Sequence, residues 1–192
     1  MRNSPRPGGV FRGRQAWQPY TSPFEFKQAG VVSLRATAQG LRSFNGAIVL
    51  GDYDRRFAWK VVSASSSLRG DGDPANVIDG NPETAWRARP RSDVGQPPHN
   101  IVLDFGGELT VSTVLYVARS QDLAGRVRDC EIYLSADGKD WGQPVVRGAL
   151  PAEPLQQTLR LAQPARGRYL KFVVLSEHTA SNGAAIAELD VR

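Results

Sequence analysis

The residues best suited to chemistry lie in one short segment, residues 74–86, which reads PANVIDGNPETAW. Asp79, Asn81 and Thr84 present carboxylate, amide and hydroxyl oxygens within a few positions, and Gly80 lets the backbone bend between them. Hard cations such as Ca²⁺ take about six to eight oxygens of these types, so the segment fits part of a calcium shell that a distant carboxylate would complete. The same residues also fit an Asx-type turn in which side chains accept from nearby amides, and both interpretations are open.

No motif in the sequence indicates catalysis. The chain has only two histidines, His99 and His178, and neither accompanies a nucleophile motif, a metal triad or a glycine-rich phosphate loop. We expect His99 to be a satisfied loop histidine. Asp71 and Asp73 are adjacent carboxylates, but they lie in a glycine-rich stretch that turn chemistry explains. The sequence therefore predicts a protein that is not an enzyme.

The distribution of charge argues against nucleic acid as a partner. The net charge is +5, but the excess lies in residues 1–60, whereas residues 61–192 carry fourteen basic and sixteen acidic side chains. A nucleic-acid surface needs a basic field on the folded domain. Residues 1–17 are rich in arginine and proline without the apolar core of a signal peptide, which predicts a disordered basic tail.

The chain is organised in short β-branched and aromatic runs separated by Gly, Pro, Asp and Asn, which predicts an all-β protein. A charged stretch near residues 53–56 separates a partial β-sandwich, residues 18–54, from a main domain, residues 59–192. Ile101, Leu103 and Phe105 alternate with Val102 and Asp104, as do Leu170, Phe172 and Val174 with their neighbours, so each strand should have one core face. Residues 135–141, SADGKDW, predict a tight hairpin with positive φ at Asp-Gly. The single cysteine, Cys130, excludes an intrachain disulfide and is expected to be a buried thiol.

From Trp59 onward the sequence resembles the discoidin domain, also called the coagulation factor V/VIII C-type domain, and within it the family 32 carbohydrate-binding modules. The resemblance rests on six segments in the family's order: WKVVSASS, ANVIDGNPETAW, PPHNIVLDFG, GRVRDCEIYLSADGKDWG, GRYLKFVVLSE and AIAELDV. It implies an eight-stranded jelly-roll β-sandwich of the galactose-binding-domain-like type, preceded here by a short β segment, with ligand loops at one end.

The resemblance also implies a structural Ca²⁺ beside residues 76–84. Its ligands would be the carboxylates of Asp79 and Glu188, the hydroxyl and carbonyl of Thr84, and the carbonyls of Asn76, Asn81 and Ala187. Glu188 would then be the distant carboxylate that the loop lacks. The ion would tie the loop to the last strand and add its binding free energy to folding.

The sugar contacts that the resemblance implies are only partly present. Arg119 matches the usual arginine, but Arg87 stands where a histidine is usual, Ala124 where an asparagine is usual, and residues 181–185 lack the usual aromatic platform. Arg87 and Arg89 are expected to lie near Arg119, where guanidinium groups would suit a carboxylate or sulfate. Solvated loop arginines are the alternative. The expected ligand is a glycan with galactose-type, fucosylated or acidic sugars.

Residues 20–38 resemble the end of the small β-sandwich at the C-terminus of chitobiase and β-hexosaminidase enzymes. With the discoidin-like domain, this resemblance implies the accessory tail of a secreted or periplasmic glycoside hydrolase, such as an α-L-fucosidase or a hexosaminidase, with a covalent or packed catalytic domain as its partner. Two alternatives stay open: an architectural domain that binds no sugar, and a discoidin module that binds protein or lipid. The loops offer little large apolar surface beyond Leu123, which disfavours membrane binding.

Overall fold

The computed structural model describes residues 6–11, 18–19, 21–22, 30–37, 39 and 44–50 in the first part of the chain, and residues 56, 58–70, 72–88, 96–179 and 181–192 in the second. The chain divides into two compact units, Met1–Phe57 and Ala58–Arg192. No helix among the described residues is long and apolar enough to cross a membrane.

The described residues of the first unit form a four-stranded sheet. Its strands are β1 (Arg6–Phe11), β2 (Gln18–Pro19), β3 (Gly30–Thr37) and β4 (Phe44–Leu50), in the order β2-β1-β3-β4. The two longest strands occur where the apolar runs predict them, whereas β1 lies within the segment predicted to be a disordered tail. Pairing of β1 with β3 supplies backbone hydrogen bonds, and such non-local pairing leaves no mark on the composition of residues 1–17.

The second unit is an all-β sandwich with one short 3-10 helix, Pro74–Ile78. Its strands are β5 (Lys60–Ala64), β6 (Trp86–Ala88), β7 (His99–Val117), β8 (Val127–Ser135), β9 (Val146–Ala149), β10 (Gln156–Glu177), β11 (Ala184–Ile186) and β12 (Glu188–Val191). The main sheet has the order β12-β7-β10-β8-β9, β5 also pairs with β7, and β11 pairs with β6 in a separate two-stranded ladder. The predicted all-β fold is confirmed.

The two long strands differ from the prediction, because each joins two runs that the sequence separates. Strand β7 continues through Gly106 and Gly107, and β10 continues through residues 162–167, where its register with β7 shifts. The rings of Tyr116 and Phe172 stack with centroids 6.0 Å apart. Phe172 of β10 pairs with Ile101 near the start of β7, whereas Tyr116, which pairs with Gln157, lies near the end of β7. The contact between the two rings therefore shows that the two ends of β7 face each other across the core.

In β10 the buried side chains follow the predicted alternation, whereas in β7 they follow it only partly. Leu170, Phe172 and Val174 are fully buried. In β7, however, Val102 and Asp104 are buried along with the predicted core residues. The predicted tight hairpin is also wrong: Gly138 has φ 73°, but β8 pairs with β9 only beyond residue 145, so the connection is a longer loop.

Cys130 is buried as predicted, and His99 has the predicted hydrogen-bond partner but lies at the start of strand β7 and not in a loop. Cys130 is buried, and burial raises the pKa of its thiol to about 12, so the thiolate is disfavoured at neutral pH. His99 is 1% exposed and its Nε2 lies 2.7 Å from the carbonyl oxygen of Asn182. Both side chains are therefore structural.

Asp104 ties β7 to β10 and predicts a pH dependence of stability. Arg168 donates from Nε and Nη2 to the two carboxylate oxygens at 2.8 Å each, and the Gly106 amide donates at 2.8 Å. The Arg168 hydrogen bond holds the pKa of Asp104 below its usual value. A lowered folded-state pKa contributes stability above the unfolded pKa of roughly 3.9, and this contribution is lost as the pH falls through the folded-state pKa.

We therefore expect Asp104→Asn to flatten the loss of stability between about pH 4 and pH 2, measured by urea unfolding at each pH. Arg168→Gln should flatten the profile in the same way, because it removes the other partner of the ion pair. Profiles of both variants that run parallel to the wild-type profile would rule out this pair as a source of the acid sensitivity.

Candidate functional site

The oxygen-rich loop is built on the 3-10 helix Pro74–Ile78. Asp73 caps the helix, with Oδ1 accepting from the Ala75 amide at 2.8 Å, and Val77 anchors it in the core. The chain then turns at Gly80, whose φ is 78°, a conformation that favours glycine. The turn brings the carboxylate of Asp79 back over the following residues, so that Oδ1 accepts from the Asn81 amide at 2.7 Å.

Three oxygen atoms meet at Thr84. Its Oγ1 lies 2.7 Å from Oδ2 of Asp79 and 2.8 Å from the carbonyl oxygen of Asn81. A hydroxyl has a single proton, so it cannot make a full hydrogen bond to both acceptors. The cluster therefore has more lone pairs than protons, which is the donor set that a hard cation accepts.

The last strand brings a second carboxylate to the same end of the sandwich. Ala187 donates its amide to the Val117 carbonyl at 2.9 Å, and Glu188 pairs with Val117 in the register of β12 against β7. Strand β12 also packs against the 3-10 helix. Glu188 is 7% exposed and its Oε1 is inaccessible to solvent, and burial of a carboxylate oxygen is costly unless positive charge or donors compensate it.

The residues present therefore fit Ca²⁺ by type. No group of three or more His, Cys, Asp or Glu side chains gathers anywhere in the described residues, so a transition-metal site of that kind has no basis there. A calcium site needs fewer charged ligands, because carbonyl and hydroxyl oxygens complete its shell. Asn76 takes part in shaping the loop, since its Nδ2 donates to the Ala85 carbonyl at 3.0 Å.

A separate pocket of about 360 Å³ opens beside β6 and β11. The antiparallel pairing of these strands sets Arg87 opposite Ala185 and Ala88 opposite Ala184. Gly125 joins this wall, because its carbonyl oxygen accepts from the Ala185 amide at 2.7 Å. The remaining lining residues come from two loops: Ala124, Ser181 and Gly183.

The pocket gathers most of the positions at which the family resemblance places sugar contacts. Arg87, Ala124 and residues of 181–185 all line it, and none of the described lining residues is aromatic or acidic. Arg119 does not line it: its Nη1 donates to Oδ2 of Asp122 at 2.7 Å, and its side chain is 15% exposed. The expected grouping of Arg87 with Arg119 is thus not part of the pocket, because a local aspartate holds Arg119. Arg89 lies outside the described residues.

Arg126 lies at the same end of the sandwich as the pocket, and the sequence does not predict its burial there. Its side chain is 4% exposed. Nη1 donates to Ala152 O at 2.9 Å and to Glu153 Oε1 at 2.8 Å, and Nη2 donates to Arg119 O at 3.0 Å and to Asp122 O at 3.2 Å. Arg126 therefore joins the loop that carries Arg119 to the loop before β10. Its position after Gly125 in an otherwise polar turn gives no sign of this burial.

The sandwich, with its oxygen-rich loop and its end pocket, defines a discoidin-type binding module. The chain belongs to the F5/8 type C domain family, whose model matches residues 61–189. The predicted resemblance is confirmed. That family and this fold are those of non-catalytic modules, in agreement with the prediction that the chain is not an enzyme.

A sialidase of Micromonospora viridifaciens is 39% identical over 158 residues, which cover 81% of this chain and 24% of the sialidase. The chain spans about a quarter of the length of the curated relatives it matches.

Solved structures share the fold of the second unit. One is a family 32 module of Clostridium perfringens described in complex with GalNAc-β-1,3-galactose, with TM-score 0.63, 24% identity, and coverage of 71% of this chain and 96% of that one. Another is the C-terminal domain of a chitobiase from Bacteroides fragilis, with TM-score 0.63, 23% identity, and coverage of 72% and 95%. A third is the family 32 module of AlyQ in complex with 4,5-unsaturated mannuronic acid, with TM-score 0.55, 20% identity, and coverage of 69% and 95%. The predicted jelly-roll architecture is confirmed.

Proposed function

We propose that the second unit is a carbohydrate-binding module that serves as an accessory domain of a secreted glycoside hydrolase. The observation that carries the proposal is the pocket between β6, β11 and two loops, at the positions where the family resemblance places sugar contacts. Its volume of about 360 Å³ lies near the lower end of the range of ligand pockets, roughly 300 to 1,000 Å³, and suits one sugar ring. A module of this kind raises the effective concentration of a catalytic domain on its glycan.

The charge of the pocket favours an acidic sugar over a neutral galactose-type or fucosylated one. Arg87 is the charged residue among the described residues of the lining. A guanidinium group can bind a carboxylate through two parallel hydrogen bonds. Neutral sugars depend more on stacking against an aromatic ring, and the part of the lining that the structure describes contains none.

We further propose a structural Ca²⁺ held by the oxygen-rich loop and the last strand. The support is the surplus of lone pairs around Thr84 together with the buried carboxylate of Glu188. Asp79, Thr84 and Glu188 would supply side-chain oxygens, and Asn76, Asn81, Thr84 and Ala187 would supply carbonyls. The ion would contribute stability and shape to the loop that precedes β6, and no chemistry on the ligand.

One competitor is an architectural domain that binds no sugar and packs against a catalytic domain, and the lack of an aromatic side chain among the described lining residues favours it. This alternative predicts an intact fold and no glycan affinity.

Replacing Arg87 by alanine is expected to weaken binding of an acidic sugar about 10- to 100-fold, the value of one charge-assisted interaction. Galactose affinity should change less, because a neutral sugar has no carboxylate for the guanidinium. The measurement is isothermal titration with glucuronate and with galactose. Arg128→Ala is the matched control, because Arg128 is an exposed arginine on β8 that pairs with Asp129. If the folded wild-type protein bound no sugar on a glycan array, the architectural alternative would replace the proposal.

A further inference from the structure

The side chain of Glu177 at the end of β10 is buried, with 5% of the residue exposed, yet it is a carboxylate. Its charge is met by backbone and hydroxyl donors. Oε2 accepts from the Thr179 amide and the Thr179 hydroxyl at 2.7 Å each and from the Gly125 amide at 3.3 Å. Oε1 accepts from the Ser181 amide and, at 3.3 Å, from the Asn182 amide. A carboxylate that accepts this many hydrogen bonds strongly fixes the position of the backbone segments that donate them.

The donors belong to two segments that are far apart in sequence and that both form the pocket. Gly125 and Ser181 are themselves lining residues, and their neighbours Ala124 and Gly183 are too. Glu177 does not line the pocket. Its carboxylate therefore lies behind the wall, where it accepts hydrogen bonds both from the turn at Gly125 and from Thr179, Ser181 and Asn182.

The loop held by Glu177 has a second support from β7. The Asn182 carbonyl lies 2.7 Å from Nε2 of the buried His99, and Asn182 has φ 59°, which is uncommon for a residue other than glycine. A backbone conformation of this kind persists when the surroundings determine it. Glu177 and His99 are the groups that do so here, from two different strands.

The electrostatic balance at Glu177 favours the ionised state. Burial raises the pKa of the carboxyl, but the hydrogen bonds from Thr179, Ser181 and Gly125 outweigh burial and leave the pKa below its ordinary value. Hydrogen bonds to the charged form have this effect generally. The carboxylate is therefore an acceptor for all of these donors at neutral pH.

We propose that Glu177 is a positioning residue for the pocket, whose carboxylate fixes the separation of the two lining loops and so sets the affinity for the sugar without touching it. This inference rests on the proposed function of the pocket. It adds to that function a specific residue, outside the pocket, on which affinity depends.

The test uses Glu177→Gln in the full chain. Glutamine keeps one acceptor oxygen but places an NH₂ group against backbone N–H donors, so at least the donors on one side lose their partner. We expect the affinity for the sugar that the wild type binds, glucuronate or galactose, to fall about 10- to 100-fold. Hydrogen exchange of the Gly125, Thr179 and Ser181 amides, followed by NMR, should accelerate.

Two further variants separate positioning from general stability. Glu131→Gln is the matched control: Glu131 is a partly buried carboxylate on β8 that bonds Tyr133 and Arg147, and its loss should affect thermal stability without changing sugar affinity. Thr179→Val removes only the hydroxyl donor from Oε2, at an exposed residue where folding should be retained. It should weaken binding a few-fold and accelerate exchange at Gly125 less than Glu177→Gln does.

The outcomes distinguish the two proposals. Wild-type affinity in both Glu177→Gln and Thr179→Val, or affinity losses that Glu131→Gln reproduces, would overturn the positioning role. A wild-type protein without sugar affinity would overturn the proposed function instead. In that case the exchange rates still test whether the Glu177 carboxylate holds the two loops. Unchanged protection of the Gly125 and Ser181 amides in Glu177→Gln would show that it does not.

Discussion

Removal of the proposed calcium ion is expected to lower the melting temperature of the second unit by roughly 8 to 20 °C. A ligand present at a thousand times its dissociation constant, and bound only to the folded state, stabilises that state by about 4 kcal/mol. A kcal/mol corresponds to roughly 2 to 5 °C for a domain of this size. The ion would join the loop after the 3-10 helix to β12, two segments that are far apart in the sequence.

The measurement is thermal unfolding after dialysis against EDTA, then after return of CaCl₂ or MgCl₂. Calcium should restore the melting temperature and magnesium should not, because the smaller ion demands a regular octahedron that this loop does not offer. Glu188→Gln and Thr84→Val should each reduce the difference between the calcium and EDTA curves. Asp140→Asn is a control on an exposed loop, with its carboxylate bonded to the Gly142 amide, and should leave that difference intact. Identical curves with EDTA and calcium would contradict the calcium proposal.

The parts of the fold and the site that could be predicted are those whose signal is local in sequence. The alternation of Leu170, Phe172 and Val174 predicts the core face of β10, since neighbouring side chains of a strand point to opposite faces. The oxygens of Asp79 and Thr84 lie within one turn, so their proximity follows from the sequence alone. Glu188 is remote from that loop, and only the family resemblance connects them.

The features that could not be predicted depend on contacts between distant segments. Glu177 and Arg126 look like ordinary surface charges in the sequence, and their burial follows from loops that fold over them. Arg119 is predicted to contact the ligand, and the sequence does not show that it forms an ion pair with Asp122, three positions later. The sequence does not predict that β7 continues through Gly106, because a pair of glycines is typical of a turn. In the structure this glycine pair lies inside one long strand, where the strand passes between the layers of the sandwich.

Gly125→Ala is expected to destabilise the second unit by about 2 to 4 kcal/mol and to abolish sugar binding. Gly125 has φ +78°, and a Cβ atom there would lie 2.9 Å from the carbonyl carbon of Ala184 and 3.0 Å from the amide nitrogen of Ala185. These are backbone atoms of the paired strand, so they cannot move aside as a flexible side chain would. The same shift would also lengthen the bond from the Gly125 amide to Glu177, and the pocket would lose the position of one wall.

Two glycines of the same unit separate the causes of this effect. Gly142 has φ +52° with no atom within 4 Å of an added Cβ, so Gly142→Ala carries backbone strain alone. Gly107 has neither a left-handed φ nor a close neighbour, and Gly107→Ala should change stability by less than about 0.5 kcal/mol. Urea unfolding should therefore rank the losses as Gly125, Gly142 and Gly107, with sugar affinity lost only in the first. Equal losses at Gly125 and Gly142 would mean that the close approach to β11 carries no cost, and normal sugar affinity in Gly125→Ala would show that the pocket does not depend on this wall.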